Sequence, residues 1–388
     1  MISVKDNTFR IDYYCIIFTL VIFSNFGIGS FLLSDIIYLA VAVLAIVKTM
    51  RIRKPSKIYG YVVLFALFTL LSYLRFQHPR ALLSCFRFVF GISICSILFS
   101  SYNNEKYRDK VISGYCNACV IFSSFLLLQF FSYYVLHFNI DFSFGDYARE
   151  ENVAGGYNPL DSLFYRTGGL FKEPSWYAAY VVPSLFILTE IKDYKKLAIC
   201  VCGLIASTSG LGFAVLAVYL VWLTLSFNRK LGVILMLVLA AAYYFLPFIF
   251  VKIGAGVVGE ESSFFIRVQE PLEELQKVPF SIIGLDPKLH YDSSGKVMFF
   301  LNTFLFAYFY FGIIGLFFFI RYLYCNKILF LSIALLVIVM LEGLYGRIEF
   351  WMMLLACKLF NEELRLNSKR KVGVEPRITN IESYEKLH

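Results

Sequence analysis

Hydrophobic positions in this chain fall in long unbroken runs, and polar positions fall in short clusters between them. Twelve runs stand out, at roughly 11–29, 31–49, 58–74, 81–100, 112–137, 174–190, 197–207, 210–226, 231–251, 298–320, 328–344 and 347–360. Most are about 17–25 residues long, enough to cross a hydrocarbon core of roughly 30 Å as a helix. A spanning segment must satisfy its own backbone hydrogen bonds, so helices are the expected form. Strands of a membrane barrel would alternate polar and apolar residues, and these runs do not. The predicted fold is all-α and polytopic, with about twelve transmembrane helices. The first run lacks a small-residue cleavage site and passes almost directly into the second, so it reads as a retained span.

The polar clusters orient the runs. Arg51, Arg53, Lys54 and Lys57 crowd one short connection, and Lys106, Arg108 and Lys110 crowd the next but one. Lys192, Lys195 and Lys196 follow, then Arg229 and Lys230, then Arg321 and Lys327. With twelve spans all of these share one side, which the positive-inside rule makes cytoplasmic. Both termini are then cytoplasmic, with a single membrane domain over 1–360 and a charged tail over 361–388. The same count places two long loops outside, at about 138–173 and 252–297. Loops of that length in a compact protein are commonly functional.

Composition narrows the function classes. Of 388 residues, 59% are hydrophobic and 16% charged, which sets soluble enzymes aside. The net charge of +9 follows from the positive-inside bias and calls for no nucleic acid. No Walker or Gly-x-Gly-x-x-Gly segment lies between a strand and a helix, which speaks against ATP-driven transport. The nine cysteines lie in spans or their margins, so no disulfide framework is implied. Cys116 and Cys119 have CxxC spacing on an apolar helix with no second pair, which reads as packing.

Several arginines fall where a solvated surface does not account for them. In RTGGLFKEPSWYAAY, Arg166 to Tyr180, an arginine precedes a Gly-Gly turn, and Pro174 suits the first turn of the next helix. Glu173 would then lie at that helix's N-terminus, where the dipole favours an anion. The stretch reads either as a turn and helix cap, or as a site where Arg166 grips a phosphate through two hydrogen bonds. SSFFIRVQEPLEELQKV, Ser262 to Val278, is amphipathic and reads as a surface helix that Pro271 interrupts. Its Arg267 projects off the apolar face beside Glu270 and Glu274, either as an intrahelical ion pair or as a second phosphate contact. Arg87 falls inside the fourth run, and a mid-membrane charge is expected to face a cavity or partner. Arg75 and Arg80 flank the adjacent outer loop, and Arg347 opens the last run with Glu342 and Glu349 close by. Such a set of arginines suits a substrate whose charge is a phosphate at head-group depth.

The order of these pieces resembles the O-antigen polymerase and ligase superfamily. Arg166, Gly169, Leu170, Phe171, Glu173 and Pro174 are similar to the family's R-x-x-G-[LF]-[FM]-x-[EN]-P segment. STSGLGFAVLAVYL, Ser207 to Leu220, resembles the span that follows it. Arg267 fits the second family arginine, with Gly284 near the loop end. NTFLFAYFYFGIIGLFFF, Asn302 to Phe319, is similar to the family's H-N-x-[FY]-L span, and the resemblance covers roughly residues 160–355. In the ligases a histidine precedes that asparagine. Here the position is Leu301, which favours the Wzy-type polymerase branch, and His290 does not sit where the family histidine does.

The resemblance implies a GT-C-like glycosyltransferase of the bacterial cytoplasmic (inner) membrane, with its active site facing the periplasm or exterior. Its reaction would move a growing glycan from undecaprenyl diphosphate to the non-reducing end of another undecaprenyl-diphosphate-linked repeat unit, in O-antigen or capsule assembly. Arg166 and Arg267 would meet the diphosphate charge. Glu173, Glu270, Asp286 and His290 are candidates for a base, and Arg80, Arg87, Asp286, Asn302 and Arg347 for substrate contacts. No metal and no cofactor is expected. Membrane lipid, a chain-length regulator and a flippase are the implied partners. Two alternatives stand beside this one: a ligase of the same fold, and a lipid-linked oligosaccharide flippase or other transporter.

Overall fold

The computed structural model of the chain describes residues 11–28, 31–49, 57–138, 140, 168–171, 173–238, 270–276, 280–291 and 297–371. Its described elements begin with α1 (Tyr13–Thr19), a 3₁₀ turn (Leu20–Asn25), β1 (Gly27–Ile28), β2 (Phe31–Leu32), α2 (Leu33–Thr49) and α3 (Lys57–Phe76). Next come α4 (Pro79–Tyr102), α5 (Glu105–Tyr134), α6 (Pro174–Ile191), α7 (Tyr194–Ala206) and α8 (Gly210–Phe227). Helix α9 is described over 229–238. Helices α10 (Glu270–Gln276), α11 (Thr303–Leu323), α12 (Leu329–Leu341) and α13 (Ile348–Lys371) complete the order. The apolar runs are thus helical where described. Among the described residues, five helices, α3, α4, α5, α8 and α11, are long and apolar enough to cross a membrane.

Three run boundaries differ clearly from the sequence reading; at one of them α5 begins at Glu105 instead of 112, so the Lys106–Lys110 cluster is helical. The first run is not one α-helix: α1 has only 7 residues before the chain tightens into the 3₁₀ turn. A two-residue antiparallel pairing, Gly27 with Leu32 and Ile28 with Phe31, then turns it into α2. The last helix does not stop near 360. It continues through Lys371, so the first part of the charged tail is helical.

Helices α5, α6 and α13 form the interior. Leu185 to Leu188 of α6 and Met352 to Cys357 of α13 are fully buried. Peripheral helices show the opposite pattern. Ile36, Leu39, Val43, Leu44 and Val47 on α2, and Val63, Leu67, Leu70, Leu71 and Leu74 on α3, are exposed. Contiguous apolar surface on this scale is what a bilayer would cover. We therefore read the chain as a membrane-embedded helical protein.

Helix α11 is broken. Gly312 has φ 68° and ψ −169°, a backbone state that only glycine adopts freely. The end of the preceding loop fills the break. Leu285 N–H donates to Phe309 O at 2.7 Å, and Ile313 N–H donates to Ser281 O at 3.3 Å. Backbone groups that the break frees are thereby paired within the protein, the condition for non-helical backbone at membrane depth.

Candidate active site at one end of the bundle

The starts of α4, α6, α11 and α13 lie at one end of the bundle, together with the end of the 3₁₀ turn. The approach to α6 begins with a tight turn in which Phe171 N–H donates to Gly168 O at 3.1 Å. Gly169 sits in it at φ 64°, and an added Cβ would lie 3.1 Å from Leu126 Cβ. Phe171 then packs edge-on against Phe122, with ring centroids 4.9 Å apart. Pro174 opens α6 at its first position. Glu173 occupies the cap position but does not bond the first-turn amides; its Oε2 instead accepts from the Ser175 hydroxyl at 3.1 Å. The helix-cap role of its side chain is not what the geometry shows.

The turn before α13 is built by α11. Asn302 caps α11, accepting from Leu305 N–H at 2.8 Å. Thr303 donates both its N–H and its hydroxyl to Glu342 O, at 2.8 and 2.7 Å, and its hydroxyl accepts from Leu344 N–H at 2.7 Å. Tyr345 stacks on Phe306 at 3.8 Å between centroids. This fixes the 342–347 segment so that the Arg347 guanidinium lies 3.7 Å above the Trp176 ring. A cation over an indole face is favourable, the more so where water is excluded. Arg87 of α4 reaches the same turn: a Cβ added to Gly346 would lie 3.7 Å from Arg87 Cδ. The helix that follows Arg166 in sequence therefore meets Arg347, and the turn that carries Arg347 meets Arg87. STSG also arrives here, since a Cβ on Gly212 would lie 3.3 Å from Ala178 Cβ on α6.

Glu349, in the first turn of α13, is 5% exposed. Its Oε1 accepts from the Ser24 hydroxyl at the end of the 3₁₀ turn. In sequence it was only a neighbour of Arg347, and burial is what singles it out.

His290 and Asp286 lie in the loop that enters the α11 break. Asp286 is half-buried and caps a short 3₁₀ turn by accepting from Lys288 N–H at 3.0 Å. His290 is 3% exposed, with Nε2 2.9 Å from Phe299 O and Nδ1 3.0 Å from the Tyr310 hydroxyl. The carbonyl only accepts, so Nε2 carries the proton and Nδ1 accepts from Tyr310. Both ring nitrogens are engaged, which makes His290 an anchor of the loop on α11. Arg80 is exposed near the start of α4. Arg166, Arg267 and most of the two long loops lie outside the described residues. Of the predicted surface helix, the described part is α10, with Pro271 in its first turn. Among the described residues, no group of three His, Cys, Asp or Glu is placed to hold a metal.

Burial lowers the His290 pKa from 6.5 to about 4; the Phe299 carbonyl opposes this weakly and His78 adds to it. On acidification the unfolded chain takes the proton first. The contribution of His290 to stability is then complete above about pH 6.5 and lost as pH falls towards about 4. Between pH 7.5 and 4.5 the unmodified protein should lose about 2–3 kcal/mol more than a His290→Gln variant. Thermal unfolding in detergent at both pH values measures this, and equal acid sensitivity in the two proteins would refute it.

The chain matches no family model, no curated protein and no solved structure.

Proposed function

We propose that the chain is a polysaccharide repeat-unit polymerase. It transfers a growing glycan from undecaprenyl diphosphate to the non-reducing end of a second lipid-linked repeat unit. The observation that carries this reading is the meeting of separate motif segments at one end of the bundle. The Asn302-Thr303 cap holds the turn that sets Arg347 on Trp176 of α6 and meets Arg87, and the STSG turn packs on the same start of α6. Arg166 lies two residues before the 168–174 turn in sequence.

The chemistry asks for little else. A diphosphate is a weakly basic leaving group, so its departure needs positive charge more than a strong acid. Arg166 and Arg267 supply that charge in this reading, with Arg347 and Arg87 extending it. In this reading the twelve apolar runs are spans, and this end faces the periplasm or exterior of the bacterial cytoplasmic membrane, as the positive-inside rule asks of the basic clusters. Those at the α5 start, the α6–α7 turn and the α11–α12 turn lie at the opposite end. Membrane lipid, a chain-length regulator and a flippase remain the partners that this function would use.

One observation favours a second reading, a lipid-linked oligosaccharide flippase. Broken helices mark substrate paths in transporters, and α11 is broken at Gly312. The loop backbone occupies that break, which favours the enzyme. The ligase variant is disfavoured by Leu301, a core residue 3% exposed where the ligases carry histidine.

Deleting the gene and inspecting the surface glycan separates the readings. Polymerase loss leaves single repeat units on the anchor, flippase loss leaves none exported, and ligase loss leaves long chains uncoupled. Arg166→Ala and Arg267→Ala should each give the single-unit pattern at normal protein levels. Long chains persisting in both variants would remove the two arginines from the site.

A further inference from the structure

The two oxygens of Glu349 have different surroundings. Oε1 holds the Ser24 hydroxyl, whereas Oε2 is buried and has no hydrogen-bond partner among the described residues. Two nearby hydroxyls are committed elsewhere. Tyr38 donates to Ile17 O at 2.5 Å, and Tyr180 donates to Phe18 O at 3.0 Å. A buried acceptor left in this state calls for a donor beyond the described residues, and a water can supply one. Glu349 also borders a small cavity with Trp176, Tyr180, Leu344 and Met353, which has room for one water molecule. Trp176 joins this cavity to Arg347, since it lines the cavity and carries that guanidinium on its ring face. Among the described residues, the charged groups that act on Glu349 through space are Arg347 from the preceding turn and Asp35 from α2.

We propose that Glu349 is the catalytic base of the transfer, acting through one water on the hydroxyl of the incoming sugar. This rests on the polymerase reading. The sugar hydroxyl gives its proton to the water, and the water gives one to Glu349 Oε2. The sugar oxygen forms a bond to the anomeric carbon of the growing glycan. The bond from that carbon to the diphosphate breaks, and its electron pair leaves with undecaprenyl diphosphate. The guanidinium groups meet the charge that appears there. Glu349 loses its proton to solvent after the products part, so the step needs no other reactant. Ser24 fixes the carboxylate rotation and leaves Oε2 as the basic oxygen. General-base contributions of this kind are about 10²–10⁴-fold.

The test uses the full-length protein in membranes, with lipid-linked repeat units as substrate. Glu349→Gln keeps the shape and the Ser24 contact, so it should accumulate normally, bind the repeat unit with an unchanged KM, and extend chains at least about 100-fold more slowly. Glu349→Asp should keep part of the rate and shift the acidic limb of the rate–pH profile. Wild-type extension by Glu349→Gln would overturn the assignment. If Glu349→Gln fails to accumulate, Glu349→Asp decides: a displaced acidic limb supports the base, and an unmoved one overturns it. The gene deletion keeps the two levels apart. Long chains in the deletion strain reject the polymerase itself, whereas single units in the deletion strain with long chains in Glu349→Gln reject only Glu349.

Discussion

Gly312→Ala should largely abolish accumulation of the folded protein. Gly312 sits at φ 68°, where an L side chain is strained, and its added Cβ would lie 2.2 Å from Ile282 O and 2.5 Å from Ile283 N. Both obstacles are backbone, so no rotamer change relieves them. Retreat of the loop would also break the Leu285–Phe309 and Ile313–Ser281 hydrogen bonds. Strain of this kind costs about 1–3 kcal/mol and a forced overlap about 1–3 more, a large part of the stability of a typical domain. Gly60→Ala is the matching control, because α3 leaves open space within 4 Å of its added Cβ. Fluorescence-detected size exclusion after stepwise heating in detergent should show Gly60→Ala behaving as wild type and Gly312→Ala aggregating or absent. A Gly312→Ala protein with wild-type heat resistance would mean that the loop does not lock the break.

The apolar runs were legible because a span must be continuous and apolar, whatever it packs against. They locate α2 to α8 and α11 to α13. The α11 break was not legible. YFYFGIIGLFFF reads as one uninterrupted run, and the break depends on loop backbone that lies about thirty residues earlier in the chain. Gly312 and Gly315 were the local signals, and glycines in an apolar run do not by themselves specify a break or which of them makes it. The arginines could be picked out as charges placed where lipid is expected. Their meeting point could not, because it depends on Thr303 holding the 342–344 segment. Glu349 was hidden for a similar reason: in sequence it is only an acid close to Arg347. Its burial is made by the 3₁₀ turn of Ser24, 325 residues away in sequence.

The basic cluster at Lys106–Lys110 carried an orientation signal that concealed a second role. Arg108 is 2% exposed, and its Nε donates to Glu363 Oε2 at 2.5 Å while Nη1 donates to Asn103 Oδ1 at 3.1 Å. Glu363 lies past position 360, where the sequence pattern placed the start of a free tail. The pair instead ties the end of α13 to the start of α5. Replacing Arg108 with Ala leaves a carboxylate buried with Asn367 as its remaining bonded side chain, and should cost about 3–5 kcal/mol. Glu363→Leu should cost a similar amount, since it strands the guanidinium. Glu105→Ala gives the contrast: its bond to Arg370, at 2.9 Å, is exposed on both sides, and such pairs contribute at most about 1 kcal/mol. Burying two charges is itself expensive, so the double replacement Arg108→Met with Glu363→Leu should recover most of what either single change loses. Thermal midpoints of the four variants, with the single Arg108→Met that closes the cycle, measure the coupling. A double variant as unstable as the sum of the singles would show two independent anchors instead of one pair, and Arg108→Ala as mild as Glu105→Ala would show that water reaches the contact.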